Sequence, residues 1–298
     1  MQDGFRPRRI LKKLVGDVES ASLFPSMEFN MAITLQATMA LLLLGLLSLN
    51  TGCNPLNDTL SPKPVFREDA GTGAQVAILA NQKVSKKQFQ SLPPNGIREV
   101  HLQGSQFDMK QLVSWDGLHD VEELYLSGAE IGDAELATFP SMPNLRVLKL
   151  DYTRVTGLSL GLLAQFPKLR ELNLAYTNQA NLPKNELFLI QGLTSLDLES
   201  TGLTDEHMPY LASLPNLKWL WLSGNRITDE GLRHVARIGK LRGLYLNDTK
   251  ITQDGVPVLQ NLRNLETLWM INRKFSTLPH EAFVHYVPTG CTVIFRKR

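Results

Sequence analysis

Cysteine is nearly absent: the 298 residues contain two, Cys53 and Cys291. Two thiols cannot build the disulfide framework of a small secreted fold, and they make no cysteine-based zinc centre without several histidines. An excess of one charge sign is also lacking. Lysine and arginine number 31 against 29 aspartates and glutamates, a net charge of +2, so electrostatics give no case for a nucleic-acid partner. Part of the basic charge sits at the ends, at Arg6, Arg8, Arg9, Lys12 and Lys13 and again at Arg296, Lys297 and Arg298. The motifs of common chemistries are missing too: there is no Walker loop, no dinucleotide fingerprint and no G-x-S-x-G elbow. His280, Glu281 and His285 form H-E-x-x-x-H, one residue longer than the spacing that puts two zinc ligands on one helix face. His280 therefore reads as an exposed end-cap residue. Acidic pairs such as Asp229-Glu230 read as helix starts and not as acid–base pairs. No catalytic residue, metal site or cofactor is expected.

Long apolar runs are confined to one place. From Met31 to Leu49 the chain is almost wholly apolar, behind a basic segment and ahead of Thr51-Gly52-Cys53. Basic, apolar, small is the order of a secretory signal. The segment Leu49-Asn50-Thr51-Gly52-Cys53 resembles a bacterial lipobox, in which the cysteine is lipidated after cleavage. Asn50 stands where a lipobox usually has leucine, while Gly52 and Cys53 fit. Lipidation at Cys53 is the leading expectation; a cleaved signal without lipid and an uncleaved anchor stay open. Each places the chain beyond the apolar run outside the cytoplasm if the positive flank stays inside. Residues 1–52 are thus expected to be a basic segment plus signal sequence or membrane anchor. Residues 53–72, with Pro55, Pro62 and Pro64 among polar residues, read as an extended tether.

Beyond the tether the chain repeats. Leucine, two residues, leucine, one residue, leucine occurs at Leu145-Leu148-Leu150, Leu169-Leu172-Leu174, Leu193-Leu196-Leu198, Leu217-Leu220-Leu222 and Leu241-Leu244-Leu246, each start 24 residues after the last. The same step reaches back to Val121-Leu124-Leu126 and Ile97-Val100-Leu102 and forward to Leu265-Leu268-Met270. One more step back falls on Gly73, Val76 and Ile78, a degenerate capping strand. Alternating apolar residues predict a short strand with one face inward. Thr153, Thr177, Thr201, Asn225 and Thr249 recur at a fixed offset, where a side chain can bond the backbone as it leaves the strand. Thr204-Asp205-Glu206 and Thr228-Asp229-Glu230 look like helix starts. Apolar residues three apart, as in Leu112, Trp115, Leu118 and Leu232, Val235, Ile238, give the next α- or 3₁₀-helical segment one apolar face. Pro143-Asn144 and Pro215-Asn216 return the chain to the next strand.

The unit from Leu217 to Leu232 in particular resembles the leucine-rich-repeat family, and the likeness extends over about residues 73–298. It implies an α/β leucine-rich-repeat solenoid, a right-handed horseshoe with parallel strands on the concave face and helical or 3₁₀ segments on the convex face. Within 73–298, residues 73–96 are expected to be an N-terminal cap-like unit, 97–276 the core repeats and 277–298 a C-terminal cap. Two departures stand out: Gln179 replaces an aliphatic residue and Asn181-Leu182-Pro183 a helix start, and Arg273 takes a threonine position. Cys291 to Phe295 reads as a closing strand, with Cys291 a buried small residue.

Residues between the strand leucines point away from the core. One row runs His101, Tyr125, Lys149, Asn173, Asp197, Trp221, Tyr245, Trp269. Strands about 4.8 Å apart put equal positions in contact, so Trp221, Tyr245 and Trp269 form a contiguous aromatic row with Trp219 beside it. Clustered exposed aromatics favour a partner, although cross-strand stacking would also produce them. Tyr125, Asp197 and Glu199 complete the expected ligand-binding residues, the acidic half suiting a basic segment. The expected protein is a membrane-tethered, non-enzymatic scaffold of a bacterial cell envelope that binds a protein partner. An adhesive or glycan-binding surface protein is the alternative. An F-box-like substrate receptor is disfavoured, because no F-box-like helical segment precedes the repeats.

Overall fold

The computed structural model describes residues 65–68, 75–182, 190–271 and 284–294, all within a compact unit spanning Ser61–Arg298. The basic segment, the apolar run and Cys53 lie outside the described residues, as do Pro183, Arg273, His280 and Glu281.

One sheet of eleven strands runs in sequence order. Its members are β1 (Val65–Glu68), β2 (Gln75–Ile78), β3 (Ile97–His101), β4 (Glu123–Tyr125), β5 (Val147–Lys149), β6 (Glu171–Asn173), β7 (Ser195–Asp197), β8 (Trp219–Trp221), β9 (Gly243–Tyr245), β10 (Thr267–Trp269) and β11 (Thr292–Ile294). From β2 onward every neighbouring pair is parallel. From β3 to β10 each ladder partner lies 24 residues on, as Leu196 opposite Leu220 and Leu220 opposite Leu244. The solenoid is therefore the α/β leucine-rich-repeat architecture expected from the spacing.

The strands are short because only three residues per unit serve the ladder. Their central leucines are buried: Leu124 and Leu220 have no exposed surface and Leu148, Leu172 and Leu196 have 1%. Opposite them pack the helical segments, through Leu112, Leu136, Leu232 and Val235, each fully buried. Each such side chain contributes roughly 1.5–3 kcal/mol, and a unit gains this only when stacked between neighbours. Where the chain leaves a strand, the Thr153, Thr201 and Thr249 hydroxyls donate to the carbonyls of Leu150, Leu198 and Leu246 at 2.6, 2.7 and 2.9 Å. Asn225, in the same position, reaches further: its amide donates to Leu198 and Leu222 carbonyls, and its oxygen accepts from the Leu203 N–H at 2.9 Å.

Neighbouring units are also pinned through their helix starts. Asp205 accepts from the Thr228 N–H at 2.8 Å and its hydroxyl at 2.6 Å. Asp133 does the same with Thr156, and Asp229 with Thr252. The glycine three residues after the capping threonine, Gly231 after Thr228 and Gly255 after Thr252, makes room for this contact. A Cβ on Gly231 would lie 2.3 Å from Asp205 Oδ1, and one on Gly255 the same distance from Asp229 Oδ1.

Four places depart from the plain repeat or from expectation, the third of them where the sequence placed a departure. The first strand register is off by one: Ala77 pairs with Val100 and Ile78 with His101, after an irregularity between Gln75 and Val76. Ala77 and Leu79, not Val76 and Ile78, are the fully buried residues. With a side-chain period of two, a one-residue slip exchanges the faces, and both alternating sets here are apolar. Second, the segment read as tether contains β1, which pairs antiparallel with β2. That pairing satisfies backbone groups that β2 would otherwise present as a bare edge. Third, Gln179 occupies the aliphatic slot fully buried, its Nε2 donating to Thr177 Oγ1 at 2.9 Å and to the Val155 carbonyl at 3.3 Å. The chain after it passes so close to Gly157 that a Cβ there would sit 2.5 Å from the Leu182 Cα. Fourth, Cys291 is half-buried at the core margin and not enclosed; burial still pushes its thiol up to about 11.

Candidate binding face

The sheet face turned away from the core is built by the first and third residues of each strand, and most of these are only half-buried. Parallel pairing brings the expected row together. Trp221 stacks on Tyr245 with ring centroids 5.0 Å apart and planes at 14°, and Tyr245 stacks on Trp269 at 5.9 Å and 25°. Trp219 stands 6.3 Å from Trp221. Its indole leans over the next strand, where a Cβ on Gly243 would be 2.1 Å from Cε3. Trp219 thus covers a glycine on the open face, which is a structural task.

The rest of the row is not satisfied by its own packing. Tyr245 is buried to 7% exposure, and its hydroxyl and the Trp269 Nε1 have no hydrogen-bond partner among the described residues. An unpaired buried polar group costs roughly 1–3 kcal/mol, comparable with the roughly 0.5–1.5 kcal/mol an aromatic pair adds beyond its area.

Asp197 is the next rung beyond Trp221. Burial pushes its carboxyl up to about 6; the charges of Glu199 and Asp151 add to this, while the Glu199 N–H and Lys149 oppose it. Asp197 Oδ1 accepts that N–H at 3.0 Å. Glu199 itself accepts the Tyr176 hydroxyl at 2.7 Å.

Tyr125 does not join the aromatic row. Three strands, β5, β6 and β7, separate it from Trp221. It stacks instead on His101, with centroids 4.4 Å apart and planes at 4°, and donates to Glu123 at 2.6 Å. Burial, and then this hydrogen bond, push its phenol up; burial also raises Glu123.

Two residues outside the expected set are conspicuous. After each strand from β2 to β9 one residue turns left-handed, with φ near 51–71° at Asn81, Gly104, Gly128, Tyr152, Tyr176, Ser200, Gly224 and Asp248. For a side-chain-bearing residue this conformation costs roughly 1–2 kcal/mol. Tyr152 and Tyr176 adopt it and remain 61% and 44% exposed. Their rings stack at 4.5 Å and 7°. The clue in the sequence was their alignment with Gly104, Gly128 and Gly224.

Family models of leucine-rich repeats match residues 119–179 and 213–236. Together with the 24-residue ladder, they show that this chain carries leucine-rich repeats. Domains of this kind generally serve protein–protein interaction. One solved structure, an internalin (inlF) of Listeria monocytogenes str. 4b F2365, is similar over 75% of this chain and 80% of its own, at 18% identity and a TM-score of 0.35. No curated protein matches the chain.

Proposed function

We propose that this protein is a non-enzymatic binding scaffold of a bacterial cell envelope, tethered to a membrane through its N-terminal segment, that holds a protein partner on the open face of its sheet. The Trp221–Tyr245–Trp269 row carries this proposal: three large rings on a face the core does not use, two of them with polar atoms unpaired among the described residues. Large aromatics with a polar end are the side chains most often dominant in protein interfaces. Asp197, buried beside the row at a raised pKa, adds a group held against its own solvation, as binding sites often require. Trp219 belongs to the face mainly as a cover for Gly243. Tyr125 belongs to a separate stack at the N-terminal end.

Capture of partners from envelope extract by the full chain and by its Trp221→Ala/Trp269→Ala variant tests the row. The same proteins recovered with both would sink it. Recovery of glycans and no protein would favour the adhesive alternative. Incorporation of labelled palmitate into the wild-type chain and its Cys53→Ala variant tests the tether; equal labelling in both would end the lipid anchor.

A further inference from the structure

The paired tyrosines of the left-handed turns have no task in the core. They are the exposed members of a ladder whose rungs on either side are Gly104, Gly128, Ser200 and Gly224. Tyr176 is covered on one ring face by Tyr152, and its hydroxyl is fixed by Glu199. The outer face of Tyr152 looks toward rungs that carry no side chain. A Cβ on Gly128 would meet only Gly104 backbone, at 4.0 Å. The stack thus ends in an uncovered aromatic face, with room for another flat group at the spacing of the rungs.

The charge around this face selects the group. Asp151 immediately precedes Tyr152 and accepts the Ser127 hydroxyl at 2.6 Å. Glu199 stands behind Tyr176, and hydrogen bonding to it pushes the Tyr176 phenol up to about 12. The local cations are placed elsewhere: Lys149 faces Glu171 at 3.6 Å, and Arg154 lies past the turn, its backbone bridged to Gly132. A planar cation satisfies both features, stacking on the ring while donating to a carboxylate, and guanidinium is the side-chain group with that shape and charge.

We propose that the outer face of Tyr152, with Asp151 beside it and the Tyr176–Glu199 pair behind it, docks an arginine side chain of the protein partner. The proposal rests on the open face being a protein-binding surface, and it assigns a second contact beyond the tryptophan row. Because both tyrosines sit in a conformation that glycine adopts freely, Tyr152→Gly/Tyr176→Gly removes the platform without straining the fold.

The test is titration of the full chain at low salt with three short peptides. Each is capped and has two variable residues spaced by glycine: both arginine, both lysine, or both citrulline, which is planar but neutral. The arginine peptide is expected to bind at least about fivefold tighter than the other two. The double-glycine variant should lose about tenfold in that affinity with no fall in its thermal midpoint. Absence of arginine-peptide binding, equal affinity for all three peptides, or unchanged affinity in the double-glycine variant would each overturn the platform. So would tighter binding of a neutral oligosaccharide to the same tyrosines. If the tyrosine variant loses the peptide while the Trp221→Ala/Trp269→Ala variant keeps every captured protein, the platform stands and the row fails. The reverse pattern rejects the platform and leaves the row.

Discussion

The Asp205 carboxylate binds the Thr228 backbone and hydroxyl of the adjacent unit at 2.8 and 2.6 Å, and also accepts the Gly231 N–H at 3.1 Å. One acidic side chain therefore closes the helix start of its neighbour, and the neighbour's glycine leaves the space that admits it. The helix start is thus a contact between units, with the aspartate of one and the glycine of the next as its two halves.

Breaking either half should cost stability, and breaking both should cost less than the sum. Asp205→Ala removes three hydrogen bonds and is expected to destabilise the domain by about 1–3 kcal/mol. Gly231→Ala forces a Cβ to 2.3 Å from Asp205 Oδ1 and should be similarly harmful. In the double variant the clash with the carboxylate is gone, while the contact with Ile227 Cγ2 at 2.8 Å remains, so a denaturant double-mutant cycle should show coupling of about 1 kcal/mol or more against a cost that stays above zero. Strict additivity would remove the inter-unit role.

Replacing Gln179 by an aliphatic residue should stabilise the fold. Corresponding units place Ile131, Val155, Leu203, Ile227 and Ile251 there, all with 2% exposure or less. Gln179 Oε1 is buried without a partner among the described residues, while its Nε2 keeps two acceptors. Leucine removes the unpaired oxygen and the weakly held amide together, a change that should raise stability by about 1 kcal/mol. A lower midpoint in Gln179→Leu would mean that the amide bonds to Val155 and Thr177 are what hold this irregular turn.

The strands were legible because two periods coincide in the sequence: two residues within a strand and 24 between strands. Legibility failed where one period lost its contrast. At Val76-Ala77-Ile78-Leu79 every residue is apolar, so alternation does not choose a register, and the irregularity after Gln75 chose it instead. The tryptophan row was legible from strand positions alone. Tyr152 and Tyr176 were not, because they lie past the strand, where backbone handedness and not apolar pattern sets the environment. Asp205 was read correctly as a helix start, but its partner in the next unit emerges only when units stack.

Stability should depend on pH in opposite directions at two carboxylates. Burial raises Asp197 to about 6, so the folded state holds its proton more tightly than the unfolded chain, whose value is about 3.9. Its contribution is most favourable below pH ~4, declines as pH rises through 6, and is then less favourable by about 2–3 kcal/mol. Asp197→Asn should therefore raise the thermal midpoint at pH 7.5, with the gain shrinking toward pH 4. Asp133 behaves inversely. Burial pushes its carboxyl up, but hydrogen bonds from Thr156 and Ser159 outweigh this and hold it below the usual range. Its stabilisation is present above the unfolded value and is lost as pH falls through the lower folded one. A pH-independent difference for Asp197→Asn would show that the carboxylate is not buried against its charge.

Gly243 should tolerate no side chain while Trp219 is present. No left-handed backbone requirement applies at this position; the obstacle is the indole, with Cε3 2.1 Å and Cζ3 2.4 Å from where a Cβ would stand. Gly243→Ala must push the ring off strand β9, and a bulky ring on a packed sheet face moves at a cost of about 1–3 kcal/mol. Displacement also disturbs the Trp219–Trp221 contact at 6.3 Å, so tryptophan emission should shift along with stability. In a Trp219→Ala background the obstacle is absent. Alanine at 243 then adopts the same backbone and limits the unfolded chain more than glycine does, which should make it neutral or stabilising by up to about 1 kcal/mol. A change of sign between the two backgrounds, measured by denaturant unfolding, is the expected result. Equal destabilisation in both would mean that the strand, and not the indole, excludes the side chain, and that Trp219 is as free to meet a partner as Trp221.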